Sequence, residues 1–481
     1  MVLPAPVVPM AEVALIDEAA VALGHDIAEL MERAGAAVAA EAASRCASGT
    51  ILVLTGPGNN GGDGWVCARN LAQAGHTVQV WPVIEPRSEL CRRAADRARN
   101  LVKVVEGPCA EPALIVDAIL GAGAKGPPRG AVAAALKQLA GNTCEVLAID
   151  VPTGLGSEAM LENCFALCLQ VAKAELLLEP RLRGFKTVDI GIDPAAYHEV
   201  HSNILRLFPP LRSAGHKGSH GELLVVGGGA FPGSLHFATT AALRTGCDQV
   251  RAFTADGPDL PPSIITHRQE GRLLAPVAYE TLTPLIARAS AVLIGPGIGR
   301  EPGCPEAAQQ AYSLATEMEV PVVVDADGIA ALAKDIRDQP VGPVPTVITP
   351  HRAEARNLLG HEPTEDAVHA FARPDRVLLR KGRIDFISNG RRWVRNRRGN
   401  PRMAVGGTGD CLAGMTAGFM ARGLTPFDAA RLAAYWLTTA ADELWEEQGP
   451  CYIPEDVVER LPHTLRRGLS ALGSWPPETD A

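Results

Sequence analysis

Short apolar runs that end in glycine or a polar residue recur along the whole chain and set its architecture. Residues 11–46 are alanine-rich, with Val13, Ile16, Leu30 and Met31 at roughly helical spacing, and predict two helices broken near Gly24. Ile51–Thr55 is a buried strand that opens into Gly56-Pro57-Gly58-Asn59-Asn60-Gly61-Gly62-Asp63-Gly64. A helix is expected over Trp65–Ala74 and a second strand over Thr77–Val83. Leu114–Leu120 is another buried strand; it carries Asp117 and runs into Gly121-Ala122-Gly123-Ala124-Lys125-Gly126. Val146–Ile149 leads into Asp150-Val151-Pro152-Thr153-Gly154. Buried strands alternating with helices predict an open, doubly wound α/β domain.

From Leu207 to Gly221 the text is LFPPLRSAGHKGSHG, and apolar periodicity gives way to proline, glycine and basic residues. A domain boundary is expected near 212, dividing the chain into 1–212 and 213–481. The alternation then restarts. Leu223–Val226 leads to Gly227-Gly228-Gly229 and a helix from Ser234 to Thr245. Ala291–Ile294 leads to Gly295-Pro296-Gly297-Ile298-Gly299, and Val322–Asp325 to Ala326-Asp327-Gly328. Thr346–Ile348 leads to Thr349-Pro350-His351. Val377–Arg380 leads to Lys381-Gly382, with Asp385 in the next strand. The fold class expected is α/β, two doubly wound three-layer α/β/α domains. Residues 424–447 read as helix, and 448–481 as a poorly patterned tail, loose at its end.

Length and composition narrow the picture. A chain of 481 residues exceeds one ordinary domain. A net charge of −9 argues against bulk nucleic-acid binding. No apolar run reaches the roughly 18 residues that a membrane span requires. The start, MVLPAPVVPMAEVALIDEAA, lacks the basic opening of a signal peptide. Eleven scattered cysteines without a C-x-x-C pair suit reduced thiols in a cytoplasmic protein, not a zinc site or a disulfide framework.

The candidate chemistry gathers where strands end. Residues 399–423 read GNPRMAVGGTGDCLAGMTAGFMARG, in which Gly406 and Gly407 lead into Thr408-Gly409-Asp410 and a small-residue helix over Cys411–Met420. Converging amides and a helix N-terminus form a natural phosphate site. A carboxylate there would repel a bound phosphate, but it fits a base that deprotonates an attacking hydroxyl. Asp410 fits a helix cap equally well, and the pattern alone leaves both readings open. Gly56, Gly58 and Gly61 satisfy G-x-G-x-x-G after a strand, and Asn59, Asn60 and Asp63 add oxygens and donors beyond what a dinucleotide turn demands. Ligands of open α/β sheets sit outside the carboxyl ends of the strands, so Asn60, Asp117, Asp150 and Thr153 are expected in one crevice. Arginines at 391, 392, 395, 397, 398 and 402 suggest a solvated hairpin, or a draw for nucleotide phosphates. No G-x-x-x-x-G-K-[ST] is present.

These motifs resemble a known pair. GPGNNGGDG, IVDAILGAG and AIDVPTG resemble the NAD(P)HX epimerase domain, which is Rossmann-like. GHKGSHGELLVVGG, LIGPGIG, VVVDADG, TPHRAE and GNPRMAVGGTGD resemble the ADP-dependent NAD(P)HX dehydratase domain, which is ribokinase-like. Their order is similar to that of the bifunctional NAD(P)H-hydrate repair enzymes, over about residues 10 to 460. The resemblance implies epimerisation of R- and S-NAD(P)HX at C6 of the nicotinamide ring. It also implies ADP-dependent dehydration of the S form to NAD(P)H, with release of AMP and phosphate. Phosphorylation of the C6 hydroxyl turns a poor leaving group into a good one.

By matching position, the resemblance places hydrate contacts on Ser234, Gly299, His351 and Asp410, with Asp410 catalytic. Nucleotide contacts fall on Lys381, Gly382, Arg383, Ile384, Asp385 and Gly409. In the first domain, hydrate contacts fall on Asn59, Asn60, Gly61, Gly62 and Asp63, on Gly121, Ala122, Gly123, Ala124, Lys125, Gly126 and Pro127, and on Asp150, the candidate proton carrier. Asn60, Asp117 and Thr153 would hold K+. ADP as phosphoryl donor, Mg2+, NADHX and NADPHX as substrates, and a cytoplasmic homo-oligomer complete what the resemblance implies. The chain departs from the family pattern at Thr153, where serine is usual, at Ser234, where alanine is usual, and at Pro180–Gly184, which stands for a P-K-x-G segment. A ribokinase-fold kinase of a small alcohol, with a non-catalytic nucleotide-binding first domain, would use the same Asp410 turn; phosphate release separates the two readings.

Overall fold

The computed structural model describes residues 6–108, 111–339 and 344–476 and divides into two compact units, Met1–Tyr197 and His198–Ala481. The Pro/Gly-rich stretch around 212 follows shortly after this division.

The first unit is built on a seven-stranded parallel sheet. In spatial order its strands are Lys103–Val104, Thr77–Pro82, Thr50–Thr55, Leu114–Ala118, Glu145–Ile149, Cys164–Leu169 and Gly184–Val188. Chain order reverses between Thr50–Thr55 and Leu114–Ala118, which opens a crevice at their carboxyl ends. The helices Ile27–Arg45, Asn59–Gln73 and Glu89–Ala98 cover the face bearing Ile51, Val53 and Val116, and Gly130–Gln138 covers the face bearing Leu52, Leu54 and Ile115. Burial on both faces explains why these strands are continuously apolar.

The glycine-rich stretch differs from its expected loop. The helix begins at Asn59, six residues before Trp65. A Cβ on Gly61 would lie 2.0 Å from the Gly56 carbonyl oxygen, and one on Gly64 would lie 2.5 Å from the Ala118 Cβ. The glycines therefore let a helix lie against the sheet at backbone distance, and this tertiary contact overrides their low helix propensity. The chain start is tied down as well. Val7–Val8 pairs in parallel with Ala172–Lys173, and the Met10 N–H donates to both carboxylate oxygens of Glu175 at 3.0 Å. Those bonds fix the helix Met10–Ala22 beside Lys173.

The second unit carries a nine-stranded sheet. Its order is Ile264–Gln269, Gln249–Ala255, Glu222–Val226, Ala291–Ile294, Val322–Val324, Thr346–Ile348, Arg376–Arg380, Asp385–Ser388 and Trp393–Asn396. The first seven are parallel and the last two add an antiparallel edge. Here the reversal falls between Glu222–Val226 and Ala291–Ile294. One face packs on the helices Pro232–Arg244, Thr408–Ala421, Pro426–Gln448 and Pro454–Ala471. The other packs on Tyr279–Arg288, Cys304–Glu317, Asp327–Asp338 and the shorter helices that follow.

Two expectations for this unit change. The tail is not patternless: Pro454–Ala471 is an 18-residue helix that buries Val457, Val458, Leu461, Leu465 and Leu469, a helical period that Pro462 and the polar residues around it obscure. The Trp436 indole N–H donates to the Leu461 carbonyl at 2.8 Å, anchoring it. Residues 477–481 of the expected loose end lie outside the described residues. The arginine-rich stretch forms the edge strand, and its side chains are engaged within the protein. Arg395 pairs with Glu365 at 2.6 Å, Arg397 pairs with Glu199, and Arg402 donates to the Tyr452 carbonyl at 2.8 Å. Among the described residues no helix is long and apolar enough to cross a membrane.

Candidate active sites

In the first unit the two strand ends at the reversal touch through backbone. A Cβ on Gly56 would lie 1.9 Å from the Ile119 carbonyl oxygen, so only glycine fits. Asn60, in the first turn of its helix, lies against Gly121 of the neighbouring strand exit. Behind that exit, Asp117 is almost fully buried. It accepts from the Thr153 hydroxyl and the Thr153 N–H, each at 2.7 Å, and from the Ile119 N–H at 3.2 Å. Burial raises its carboxyl above the ordinary value despite those bonds, and no described cationic side chain pairs with it. The Leu120 N–H donates to the Thr153 hydroxyl at 3.1 Å, and the Asn60 Nδ2 is buried without a partner. Asn60, Asp117 and Thr153 thus meet around Leu120–Gly121.

In front of them opens a cavity of about 540 Å³. Asn59, Asn60, Asp63, Gly121, Ala122, Gly123, Ala124 and Asp150 line it. Gly61 and Gly62 do not, because they face the packing beneath the helix. Lys125, Gly126 and Pro127 lie exposed further along the Gly121 loop.

Two residues that sequence reading did not single out, Asp17 and Lys173, also line the cavity. Lys173 is only 1% exposed. It forms an ion pair with Asp150 and donates to the Val171 carbonyl at 2.9 Å. Asp150 has φ +66°, a left-handed conformation rare outside glycine, asparagine and aspartate; its Oδ1 also accepts from the Leu169 N–H at 3.2 Å. Burial, then the charges of Asp150 and Asp17, push the Asp63 carboxyl well above its usual range. Enclosure by the cavity wall, then Asp150, lifts Asp17 to about 6, with Lys173 pulling the other way. Asp17 is itself an exposed residue, on the solvent side of the cavity wall, so water screens part of these effects. A lone lysine inside the apolar run CFALCLQVAKAELLL was the available signal for Lys173. The Pro180–Gly184 stretch holds no equivalent: Arg181 there is exposed and pairs with Glu179 at 2.8 Å.

In the second unit the two glycine loops at the reversal lie side by side. The Phe231 N–H donates to the Gly297 carbonyl at 3.1 Å, and a Cβ on Gly297 would come within 3.1 Å of the Ser234 Cβ. Gly299, at φ +91°, is closely flanked by Ala230 and Glu301. The Ser234 side chain acts on Asp410, which sits in the first turn of Thr408–Ala421, and favours its carboxylate. That helix starts three residues earlier than expected, so Thr408, Gly409 and Asp410 are its opening turn. Gly407 at φ +100° turns the chain into it.

Lys381 projects to Gly409, with its Nζ 3.2 Å from where a Gly409 Cβ would stand, and pairs with Asp325 at 2.7 Å. Burial works against the Lys381 charge, but Asp325, Glu354 and Asp410 outweigh it and raise the ammonium pKa. Burial, then the Asp325 carboxylate, push Asp410 up to about 7, with Lys381 and Ser234 pulling down. Such a carboxyl can exchange a proton at neutral pH.

Asp385 turns inward. It accepts from the Gly382 N–H at 3.1 Å and from Asn396 at 3.2 Å, and burial raises it to about 6, so it braces the Lys381–Ile384 turn. Gly382 and Arg383 face solvent on that turn. His351 caps the helix Arg352–Leu359: its Nδ1 accepts from Ala353 N–H at 3.1 Å and Glu354 N–H at 3.2 Å, leaving Nε2 at the surface beside Glu354. Asp325 was not singled out from sequence as a site residue, although a carboxylate ending VVVD is legible.

Comparison with known proteins follows this division. A family described as NAD(P)H-hydrate dehydratase matches residues 223–463, and one described as YjeF-related protein N-terminus matches residues 27–173. The bifunctional NAD(P)H-hydrate repair enzyme Nnr of Hyperthermus butylicus is 34% identical, covering 97% of this chain and 93% of its own. That of Methanothermobacter thermautotrophicus is 32% identical, with 93% of each chain covered. The solved ADP/ATP-dependent NAD(P)H-hydrate dehydratase from Bacillus subtilis, co-crystallized with ATP/Mg2+, is 26% identical. It has a TM-score of 0.47 and covers 56% of this chain and 99% of its own.

Two doubly wound α/β domains in one chain, the second matched by an NAD(P)H-hydrate dehydratase family, make a two-domain enzyme. The chain belongs to the bifunctional NAD(P)H-hydrate repair enzymes, in which an NAD(P)H-hydrate epimerase is joined to a nucleotide-dependent NAD(P)H-hydrate dehydratase.

Proposed function

We propose that the second domain uses ADP to phosphorylate the C6 hydroxyl of (S)-NADHX or (S)-NADPHX. Asp410 takes the hydroxyl proton as that oxygen attacks the terminal phosphorus, and AMP departs. The ring nitrogen then pushes out phosphate from C6. Loss of a C5 proton restores the double bond of NAD(P)H. The Gly406–Gly409 amides and Lys381 face the charge that develops on the phosphoryl group. Ser234, Gly299 and His351 contact the hydrate, and the Lys381–Asp385 turn together with Gly409 contacts the nucleotide. Mg2+ enters with the nucleotide, held chiefly by phosphate oxygens, and neutralises their charge. The observation that carries this reading is a carboxyl lifted to about 7 at a helix N-terminus, beside a lysine.

In the first domain Asp150 is the proton carrier for epimerisation at C6, and Lys173 orients it. Asn59, Asn60, Asp63 and the Gly121–Pro127 loop surround the hydrate. A buried Asp117 without a described cationic partner, next to the oxygens of Thr153 and Asn60, suits a hard monovalent cation such as K+. Its charge would offset that carboxylate and steady the Gly121 loop. The enzyme is taken to be cytoplasmic, which the ten described cysteines, all free thiols, suit. The exposed Val21, Leu23 and Ile27 give an apolar edge consistent with a homo-oligomer.

The test is an R/S hydrate mixture incubated with ADP and magnesium. Asp410→Asn should abolish all repair. Asp150→Asn should spare the S isomer and slow R to its spontaneous rate. A stable phosphorylated product in place of free phosphate and restored nicotinamide absorbance would overturn the dehydratase reading in favour of a kinase.

A further inference from the structure

Asp17 lies outside the stretch matched by the first-domain family, which begins at residue 27. The fold nevertheless brings it into the first-domain cavity. Pairing of Val7–Val8 with Ala172–Lys173, and the Met10–Glu175 bonds, fix the helix that carries it along the cavity wall. The charged groups acting on it come from four elements: Asp150 from a strand exit, Lys173 from a short strand, Asp63 from the helix Asn59–Gln73, and Glu18 from its own helix. Lys173 is committed to Asp150 and two backbone carbonyls, so it only partly offsets the other carboxylates at Asp17. Asp63 is nine-tenths buried and lines the same cavity. The Asn60 Nδ2 is buried without a partner. That donor marks the cavity as built for a polar ligand, because an unsatisfied buried polar group is costly unless something bound completes it.

We propose that Asp17 is a second catalytic carboxyl of the epimerase, giving a proton to the departing C6 oxygen of the hydrate, while Asp150, oriented by Lys173, takes the proton of the water that adds back. This rests on the reading of the cavity as the epimerase site. Inversion at a carbon bearing both nitrogen and hydroxyl needs a group that can both give and take a proton. Asp17 protonates the departing hydroxyl; the C6–O bond breaks to release water, and the nitrogen lone pair forms a C6=N1 double bond. Water then adds to the other face. The C6–O bond re-forms, the π electrons return to nitrogen, and the surplus proton passes to Asp150 and from there, through water in the cavity they share, back to the Asp17 carboxylate. Protons and electrons balance, and no oxidant or further reactant is required. Asp150 is engaged by the buried Lys173 ammonium and the Leu169 N–H, whereas Asp17 lines the cavity without such partners and, near 6, can exchange a proton at neutral pH.

The experiment uses the full chain, (R)-NADHX, ADP and magnesium, with epimerisation read as the rate at which R is consumed and dehydration read separately on (S)-NADHX. Asp17→Asn should lower kcat on R by about 100-fold or more, leave KM for R within about threefold, and leave turnover of S unchanged. Asp17→Glu should recover part of the rate and shift the limb of the pH profile that lies near pH 6 in the wild type. In 18O-water the wild type should place one label at C6 per inversion. Epimerisation at the wild-type rate by Asp17→Asn overturns the assignment. So does equal loss in both variants together with a lost thermal transition of the first domain, which would make Asp17 structural. If the wild type does not accelerate consumption of R at all, the epimerase reading of the cavity fails instead.

Discussion

The ammonium of Lys381 lies 2.7 Å from Asp325 Oδ1 and borders Gly409 in the opening turn that carries Asp410. The Thr349 hydroxyl donates to the same Oδ1 at 2.7 Å, so Asp325 is fixed from two sides and fixes Lys381 in turn. One lysine therefore stands between two carboxylates, the first tied to it and to Thr349 and the second poised to exchange a proton. Sheet order makes this possible: Asp325 and Lys381 sit at the ends of strands with only Thr346–Ile348 between them.

Lys381→Met removes a cation that pulls the Asp410 carboxyl down. Its pKa should rise above about 7, and the alkaline-rising limb of kcat/KM for (S)-NADHX dehydration should move to higher pH. At neutral pH activity should fall at least tenfold, with part of the loss recovered at pH 9. A pH profile of the variant checks both.

Asp410 should also leave a mark on stability. Its folded pKa of about 7 exceeds the ordinary 3.8, so between those values the folded chain holds a proton that the unfolded chain has released. Folding stability therefore falls as pH rises through that window and levels off above it. Asp410→Asn cannot ionise and should lose that slope. Thermal unfolding across pH 4 to 8 should show the variant gaining on the wild type as pH increases.

Gly61→Ala should disrupt the first domain alone. Its Cβ would stand 2.0 Å from the Gly56 oxygen, backbone against backbone. A loss of about 1–3 kcal/mol is expected from overpacking. Loss of epimerisation with unchanged dehydration of the S hydrate is the kinetic readout.

Thr153→Val keeps the shape of the side chain but deletes the hydroxyl that donates to Asp117 and accepts from Leu120 N–H. A buried acceptor and donor each lose a partner, costing about 1–3 kcal/mol. Any K+ stimulation of epimerisation should vanish, whereas Thr153→Ser should retain it. Titration of both variants with KCl and with NaCl provides the test.

Much of the fold was legible because burial on both faces writes parallel strands as plain apolar runs, and glycines or carboxylates mark their ends. Asp410, Asp150 and Asn60 stand at such ends and could be named from the text. The helix Pro454–Ala471 was missed because Pro462 and neighbouring polar residues mask a period that only packing against Trp436 displays. Gly61 and Gly62 belong to a helix because of a tertiary contact with Gly56 and Met31, which no local pattern can announce. Asp17 and Lys173 lie 156 residues apart and are joined by the pairing of Val7–Val8 with Ala172–Lys173.

By itself, then, the sequence determined the layers of each domain and the strand ends that carry the chemistry, since solvent exclusion acts on residues in order along each strand. Only the tertiary structure decided which charges meet in each crevice and what they do to one another's protons. Those effects depend on distance and burial in space, and the order of residues encodes neither until the chain has folded.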